Sequence, residues 1–122
     1  MSDVELRRAI YRSFADTGRP PEGLDAAALE RLAGQHAVTL DEGGAILFSN
    51  PFSSRPTGYR AEVGGRTWDA TCAWDAFGIV AALGGEGRVV SPIGAFEAPG
   101  PSGAVIHVLV PAARWYENLA FT

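Results

Sequence analysis

The 122-residue sequence predicts an α+β protein, with helices at the N-terminus followed by a mixed β-sheet that carries one central helix. Two N-terminal segments place apolar residues at helical spacing, whereas most later segments are short, apolar and bounded by Gly or Pro, as strands are. Hydrophobic residues make up 47% of the chain and charged residues 20%, which is typical of a folded domain rather than a disordered one. A chain of this length forms one compact domain, or one small domain with a helical appendage.

Two helices and a hairpin account for the first segment, residues 1–49. One helical face between residues 3 and 16 carries three apolar side chains at four-residue spacing: Leu6, Ile10 and Phe14. Asp25 is a candidate N-cap for a second helix, and Gly34 ends that helix. Two short strands follow around a turn rich in Asp, Glu and Gly, over residues 36–40 and 45–48. This order is the outline of a reduced winged-helix-like unit, which normally has a third helix for the DNA groove.

The second segment, residues 50–122, predicts a sheet with a central helix. It begins with a run rich in Pro, Ser and Gly over residues 50–58, which marks the boundary between the two segments. The pair Gly64-Gly65 predicts a hairpin turn between two strands. The predicted elements are, in chain order, strands over 59–63 and 66–70, a helix over 72–83, strands over 88–93 and 104–110, and a short helix after Pro111.

Charge and composition narrow the classes of function. The formal net charge is −4, and all 10 basic residues are arginines, so binding to nucleic acid through a basic surface is disfavoured. The basic cluster formed by Arg7, Arg8 and Arg12 fits a solvated helix face. Since we find no signal-type leader and no apolar run of membrane-spanning length, we predict a cytoplasmic protein with no membrane partner. A single cysteine excludes an internal disulfide.

The candidate chemistry lies at the start of the central helix, where the only cysteine, Cys72, precedes Asp75 by three residues. A thiolate binds soft metals and attacks electrophiles, and a nearby carboxylate can move protons. Backbone N–H groups and the dipole at a helix N-terminus favour an anion, so this placement predicts a lowered pKa for the Cys72 thiol. The alternative is structural, because free cysteine is often buried and an Asp in the first turn is an ordinary partner of the helix dipole.

Other candidate sites have less support. A cysteine hydrolase needs a histidine base, and the two histidines are His36, at the start of the predicted hairpin, and His107, which alternates with apolar residues in a predicted strand. One cysteine and two histidines at wide spacing do not form the ligand pattern of a structural zinc site. We expect four large aromatic side chains to build core rather than a ligand box: Trp68, Trp74, Phe77 and Trp115.

A series of short motifs runs from residue 47 towards the C-terminus. The motifs are Asn50-Pro51-Phe52-Ser53, the hairpin over 59–66, Cys72-Ala73-Trp74-Asp75, the strand over 105–111 and Trp115-Tyr116. In this order they resemble the organomercurial lyase (alkylmercury lyase) family, and the cysteine–alanine–any–aspartate motif is the most specific part of the likeness. The resemblance implies a core of that family's type over residues 50–122, preceded by a shortened form of the family's winged-helix-like extension.

The resemblance also implies a function and a site. In the family, a pair of cysteines binds the mercury of an organomercurial, and an aspartate delivers the proton that releases the hydrocarbon. Matched position by position, Cys72 falls on the first cysteine, as the thiolate ligand of mercury, and Asp75 falls on the aspartate, as the proton shuttle. The implied partner is a small-molecule organomercurial or Hg(II), with mercury as substrate or product and with no separate cofactor.

The family's second cysteine follows the segment that resembles residues 115–122, and the sequence ends at Thr122. We therefore expect one of three cases: a cysteine lost by truncation, a stop codon recoded as selenocysteine, or a natural short homologue. With a single thiol, catalysis is expected to be weak or absent. Two other classes of function stay open: a non-catalytic module that binds a soft metal or another ligand through Cys72, and a transcriptional regulator that uses the N-terminal segment.

Overall fold

The computed structural model describes residues 1–98, which form three α-helices and two antiparallel sheets. This architecture confirms the predicted α+β class, and a helix does follow Cys72. The helices are α1 (Asp3–Thr17), α2 (Ala26–Gly34) and α3 (Ala73–Leu83). The strands are β1 (Thr39–Leu40), β2 (Ile46–Ser49), β3 (Phe52–Ser53), β4 (Arg60–Val63), β5 (Arg66–Asp69), β6 (Gly87–Ser91) and β7 (Gly94–Ala98).

The two N-terminal helices begin at hydrogen-bonded capping residues. Ser2 and Glu5 form a reciprocal capping box at the start of α1. The Ser2 hydroxyl accepts from the Glu5 N–H at 3.2 Å, and the Glu5 carboxylate accepts from the Ser2 N–H at 2.7 Å. Asp25 caps α2 as predicted, by accepting from the Ala28 N–H at 3.0 Å. The buried face of α1 consists of the three residues predicted from their spacing: Leu6, Ile10 and Phe14.

The first sheet has the strand order β1-β2-β3, and the second has the order β5-β4-β6-β7. The predicted hairpin turn between β4 and β5 is confirmed. Gly64 and Gly65 have φ of 58° and 79°, a left-handed conformation that glycine adopts without strain. At the start of β6, a Cβ on Gly87 would lie 2.1 Å from the Glu62 carbonyl oxygen, so glycine is required for this approach of β6 to β4. Helix α3 packs on β4 and β6, and the second sheet therefore supports the helix that follows Cys72.

Four strands differ clearly from the sequence prediction: β6, β7, β3 and β1. The predicted strand over 88–93 ends at Ser91, whose hydroxyl donates to the Gly94 carbonyl at 3.1 Å and accepts from the Ile93 N–H at 3.3 Å. The chain reverses in this turn and returns as β7, which the sequence analysis does not contain. Strand β3 lies inside the Pro- and Ser-rich run predicted as a boundary, because two residues are enough to pair with β2. Strand β1 is shorter than predicted, since His36, with φ 58°, lies in the turn that ends α2.

A hydrophobic core joins the N-terminal helices to the sheets. The ring of Phe14 stacks on that of Phe52, with the centroids 5.3 Å apart and the planes 3° from parallel. The buried indole of Trp68 donates from Nε1 to the Phe14 carbonyl at 3.0 Å. Residues on both sides of the predicted boundary therefore share apolar contacts, while the division into segments 1–49 and 50–122 stays a prediction.

The aromatic side chains only partly follow the prediction that they build core. Trp68 is 4% exposed, and Phe77 packs half-buried against the core, as expected. The prediction is wrong for Trp74, which is 69% exposed. The reason is the helical period, because α3 turns Ile79 and Val80 toward the sheets and leaves Trp74 on the other side.

The remaining predictions for the N-terminal segment concern its surface. Arg7, Arg8 and Arg12 are exposed on α1, as a solvated helix face requires. The winged-helix-like assignment stays a prediction. No helix among residues 1–98 combines the length and the apolar character needed to cross a membrane. Several predicted features lie outside the described residues: the strand over 104–110, the helix after Pro111, His107 and Trp115.

The packing of α1 on the core can be tested by replacing Phe14 with Ala. We expect the free energy of unfolding to fall by about 3–5 kcal/mol, because the change removes a buried ring and leaves a cavity against Phe52. Urea denaturation followed by circular dichroism measures the change. Val4→Ala, at a position 59% exposed on the same helix, is the control, with an expected effect within about 0.5 kcal/mol. If Phe14→Ala lowered stability by less than about 1 kcal/mol, α1 would not be packed on the core in solution.

Candidate active site at the start of α3

The two sheets meet at an antiparallel bridge between Phe52 and Ala70, which we call the seam. Ala70 directly follows β5 and leads toward α3. The next residue, Thr71, is fixed to the loop before β3, because its N–H donates to the Pro51 carbonyl at 3.1 Å. Cys72 comes immediately after, so groups from both sheets determine where the chain leaves the second sheet and where the thiol lies.

Cys72 is the N-cap of α3. Its backbone is extended, with φ −160° and ψ 178°, and its carbonyl accepts the first helical hydrogen bond from the Ala76 N–H at 3.0 Å. The Cys72 side chain makes no capping hydrogen bond, whereas the side chains that cap α1 and α2 do. Ser, Thr, Asp and Asn are the favoured N-caps, and replacing one by a residue that cannot cap costs about 0.5–2 kcal/mol. Helix stability therefore does not explain a cysteine at this position.

Asp75 lies in the first turn of α3, and its carboxylate interacts with the Cys72 thiol through both charge and hydrogen bonding. Both side chains are partly exposed, so the thiol is not sealed in the core. The structure thus places the two site residues predicted from the sequence side by side. It also adds a third residue, since the Thr71 hydroxyl donates to Asp75 Oδ2.

The pKa of the Cys72 thiol is shifted in the direction opposite to the one predicted from the sequence. Burial raises the pKa of the Cys72 thiol above its ordinary value, and the negative charge and hydrogen bonding of the Asp75 carboxylate raise it further. The backbone N–H groups of Asp75 and Trp74 lower the pKa, as expected at a helix N-terminus, but they do not prevail. The predicted lowering is therefore wrong, because desolvation and a neighbouring anion outweigh the helix N-terminus. At neutral pH the side chain therefore favours the protonated thiol over the thiolate.

Two residues that support the site, Thr71 and Pro51, were not predicted from the sequence. The only signal for Thr71 is its four-residue spacing from Asp75, and this spacing is informative only once the start of α3 is known. Pro51 is 20 residues away in the chain, and its contact with Thr71 exists because β3 and β5 meet at the seam.

Two clefts on the described part of the chain lie elsewhere. One of about 390 Å³ is lined by the β4–β5 turn and the start of β6, and one of about 480 Å³ lies between the loop over residues 19–24 and the β1–β2 turn. Neither cleft is lined by Cys72 or Asp75. Residues 1–98 also contain no group of three or more His, Cys, Asp or Glu side chains that could hold a metal ion.

Comparison with known protein families matches residues 52–121 to the family described as alkylmercury lyase. The match covers more than half of the chain and includes both Cys72 and Asp75, so this chain belongs to the alkylmercury lyase family. The resemblance inferred from the motifs is therefore confirmed. No curated protein and no solved structure matches the chain.

The raised pKa of Cys72 predicts how its alkylation depends on pH. The thiolate is the species that reacts with iodoacetamide, and burial and the Asp75 carboxylate both favour the protonated thiol. We expect the alkylation rate to reach half its maximum at a higher pH in the folded chain than in the same chain unfolded in urea, as followed by mass spectrometry. Asp75→Asn should lower the folded midpoint. If the pH of half-maximal alkylation were lower in the folded chain than in the unfolded chain, the helix N-terminus would outweigh burial and the Asp75 carboxylate.

The N-cap position of Cys72 predicts an unequal effect of two small substitutions. A serine at this position can accept a hydrogen bond from the first turn of α3, whereas an alanine cannot. We expect Cys72→Ser to be more stable than Cys72→Ala by about 0.5–2 kcal/mol in urea denaturation, and at least as stable as the wild type. Equal stabilities of the two variants would contradict the assignment of residue 72 as the N-cap.

Proposed function

We propose that this chain cleaves organomercurials, with the Cys72 thiolate as the mercury ligand and Asp75 as the proton shuttle. The observation that carries the proposal is the interaction of a half-buried thiol with a carboxylate at the start of α3. Mercury is a soft metal that prefers thiolates, and protonolysis of a carbon–mercury bond needs a proton source beside the carbon. The two side chains supply both requirements within one helical turn.

The proposed reaction has two steps and no change of oxidation state. As the organomercurial binds, a bond forms between mercury and Cys72 Sγ, the bond from mercury to its counter-anion breaks and releases that anion to solution, and the thiol proton passes to the Asp75 carboxylate. The protonated Asp75 then gives this proton to the carbon, and the electron pair of the carbon–mercury bond becomes the new carbon–hydrogen bond. The products are the free hydrocarbon, Hg(II) bound to Cys72 and a regenerated carboxylate.

The raised pKa of Cys72 supports this order of events. The Cys72 thiol keeps its proton at neutral pH, so this proton is present in the site before the substrate binds. The neighbouring Asp75 carboxylate is already positioned to accept it. The same backbone N–H groups that partly offset burial then stabilise the thiolate once mercury has replaced the proton. The helix N-terminus therefore acts on the product of proton transfer rather than on the resting thiol.

A second thiolate is needed to complete two-coordinate mercury. For this single-cysteine form, we propose that a low-molecular-weight thiol from solution takes this place. A second such thiol then replaces Cys72 on the mercury and gives its proton to Cys72, so that Hg(II) leaves bound to two thiols from solution. The weak catalysis expected of a form with one thiol would then depend on the solution: the rate of hydrocarbon release would rise with the concentration of added thiol.

The test is release of benzene from phenylmercuric acetate in the presence of excess glutathione, measured by gas chromatography. We expect Cys72→Ser and Asp75→Asn each to lower the rate of release by about 100-fold or more, since one removes the mercury ligand and the other the proton shuttle. Asp16→Asn, at an exposed position on α1, is the matched control and should release benzene at the wild-type rate.

Binding is measured separately, by mass spectrometry of the protein with one equivalent of phenylmercury. Asp75→Asn should keep the phenylmercury adduct on Cys72 without releasing benzene. If the wild type also binds phenylmercury without releasing benzene, the chain is a soft-metal-binding module and the lyase proposal fails. If Cys72→Ser binds as well as the wild type, Cys72 is not the ligand and both functions fail.

A further inference from the structure

We propose that Thr71 is a positioning residue, which holds the Asp75 carboxylate beside the Cys72 thiol and so directs the proton between them. This inference rests on the function proposed above and adds a residue to its machinery. Thr71 touches neither mercury nor the leaving carbon in this scheme, and it acts only through Asp75. Its hydroxyl donates to Asp75 Oδ2.

The hydroxyl of Thr71 has a choice of two acceptors, and the chemistry decides between them. Asp75 Oδ2 is one, and the Pro51 carbonyl oxygen, 3.5 Å away, is the other. A hydroxyl carries one hydrogen and donates to one acceptor at a time. The Pro51 carbonyl already accepts from the Thr71 N–H at 3.1 Å, and the carboxylate is the nearer acceptor and carries the charge. The hydrogen therefore goes to Oδ2, and the carboxylate has a second oxygen that can exchange the proton with the thiol.

The carboxylate in α3 is used differently from the equivalent carboxylate in α1. In α1, Glu5 turns back and accepts from the N–H of the N-cap residue, Ser2, which completes a capping box. In α3, Asp75 accepts from a hydroxyl one residue before the N-cap. The Asp75 carboxylate is thereby held beside the side chain of Cys72 and does not complete a capping box at the start of α3.

The hydroxyl of Thr71 is itself firmly located. The Thr71 N–H is bound to Pro51, and the carbonyl of the preceding residue, Ala70, accepts from the Thr57 hydroxyl. The fold therefore sets the position of Thr71 before any contact with Asp75 is made. Without the hydroxyl, the Asp75 carboxylate would be free to rotate about its side-chain bonds while α3 itself stayed in place.

Three variants isolate the hydroxyl. Thr71→Val keeps the shape and the backbone N–H but removes the donor, and Thr71→Ser restores the donor. Thr67→Val makes the same chemical change at an exposed position of β5 and is the matched control.

The first readout is the pH dependence of Cys72 alkylation by iodoacetamide. In Thr71→Val we expect the midpoint to fall toward that of Asp75→Asn, because a freely rotating carboxylate opposes the thiolate less. Thr71→Ser and Thr67→Val should keep the wild-type midpoint. In an Asp75→Asn background, adding Thr71→Val should cause no further shift, since the carboxylate through which Thr71 acts is already gone.

The second readout is benzene release from phenylmercuric acetate. Thr71→Val should lower kcat by about 10-fold and leave KM unchanged, because the proton donor loses its orientation while the mercury ligand is untouched. An unchanged midpoint and kcat in Thr71→Val would overturn the inference, and so would equal effects of Thr71→Val and Thr71→Ser. If the wild type releases no benzene, the proposed lyase function fails, whereas the alkylation midpoint still decides whether Thr71 positions Asp75.

Discussion

The bridge between Phe52 and Ala70 is the contact on which the arrangement of this protein depends, because it brings the two sheets together at the point where the chain leaves for α3. The ring of Phe52 also stacks on that of Phe14, so α1 contacts the same residue that forms the bridge. Cys72 follows Ala70 by two residues. The N-terminal helix, both sheets and the origin of α3 are therefore linked through Phe52 and Ala70.

The start of α3 shows how several electrostatic effects act on one thiol. A helix N-terminus favours an anion, but the half-buried position of Cys72 and the adjacent Asp75 carboxylate favour the neutral form, and they prevail. The outcome differs from that in cysteine enzymes whose nucleophile rests as a thiolate. In the proposed reaction, the proton stays on Cys72 until mercury replaces it. The mercury ligand and the proton acceptor would then be neighbouring side chains of one helical turn.

Local patterns predicted much of the fold, and each miss has an identifiable physical cause. The buried face of α1, the Asp25 cap and the Gly64-Gly65 turn depend on interactions within a few residues, so spacing and turn chemistry reveal them. The bond from Thr71 to Pro51 joins segments 20 residues apart, and no local pattern encodes such a contact. Strand β3 pairs with β2 across a two-residue turn, and it was missed because the run that contains it is rich in Pro and Ser, which is typical of a loop. For the candidate site, the three-residue spacing of the motif predicted that Cys72 and Asp75 lie close together at the start of a helix, as they do. The direction of the pKa shift was missed because it depends on burial, a property of the whole fold.

The cysteine at the N-cap of α3 also bears on how this protein could be engineered. A redesign guided by folding free energy would replace Cys72 by Ser, Asp or Asn, each of which can accept a hydrogen bond from the first turn. Such a redesign would give a more robust chain with no thiol. Under the proposed function, higher folding stability and retention of the mercury ligand are opposing goals at this residue, a trade-off that is common at functional sites. Stabilisation of this chain should therefore leave Cys72 unchanged.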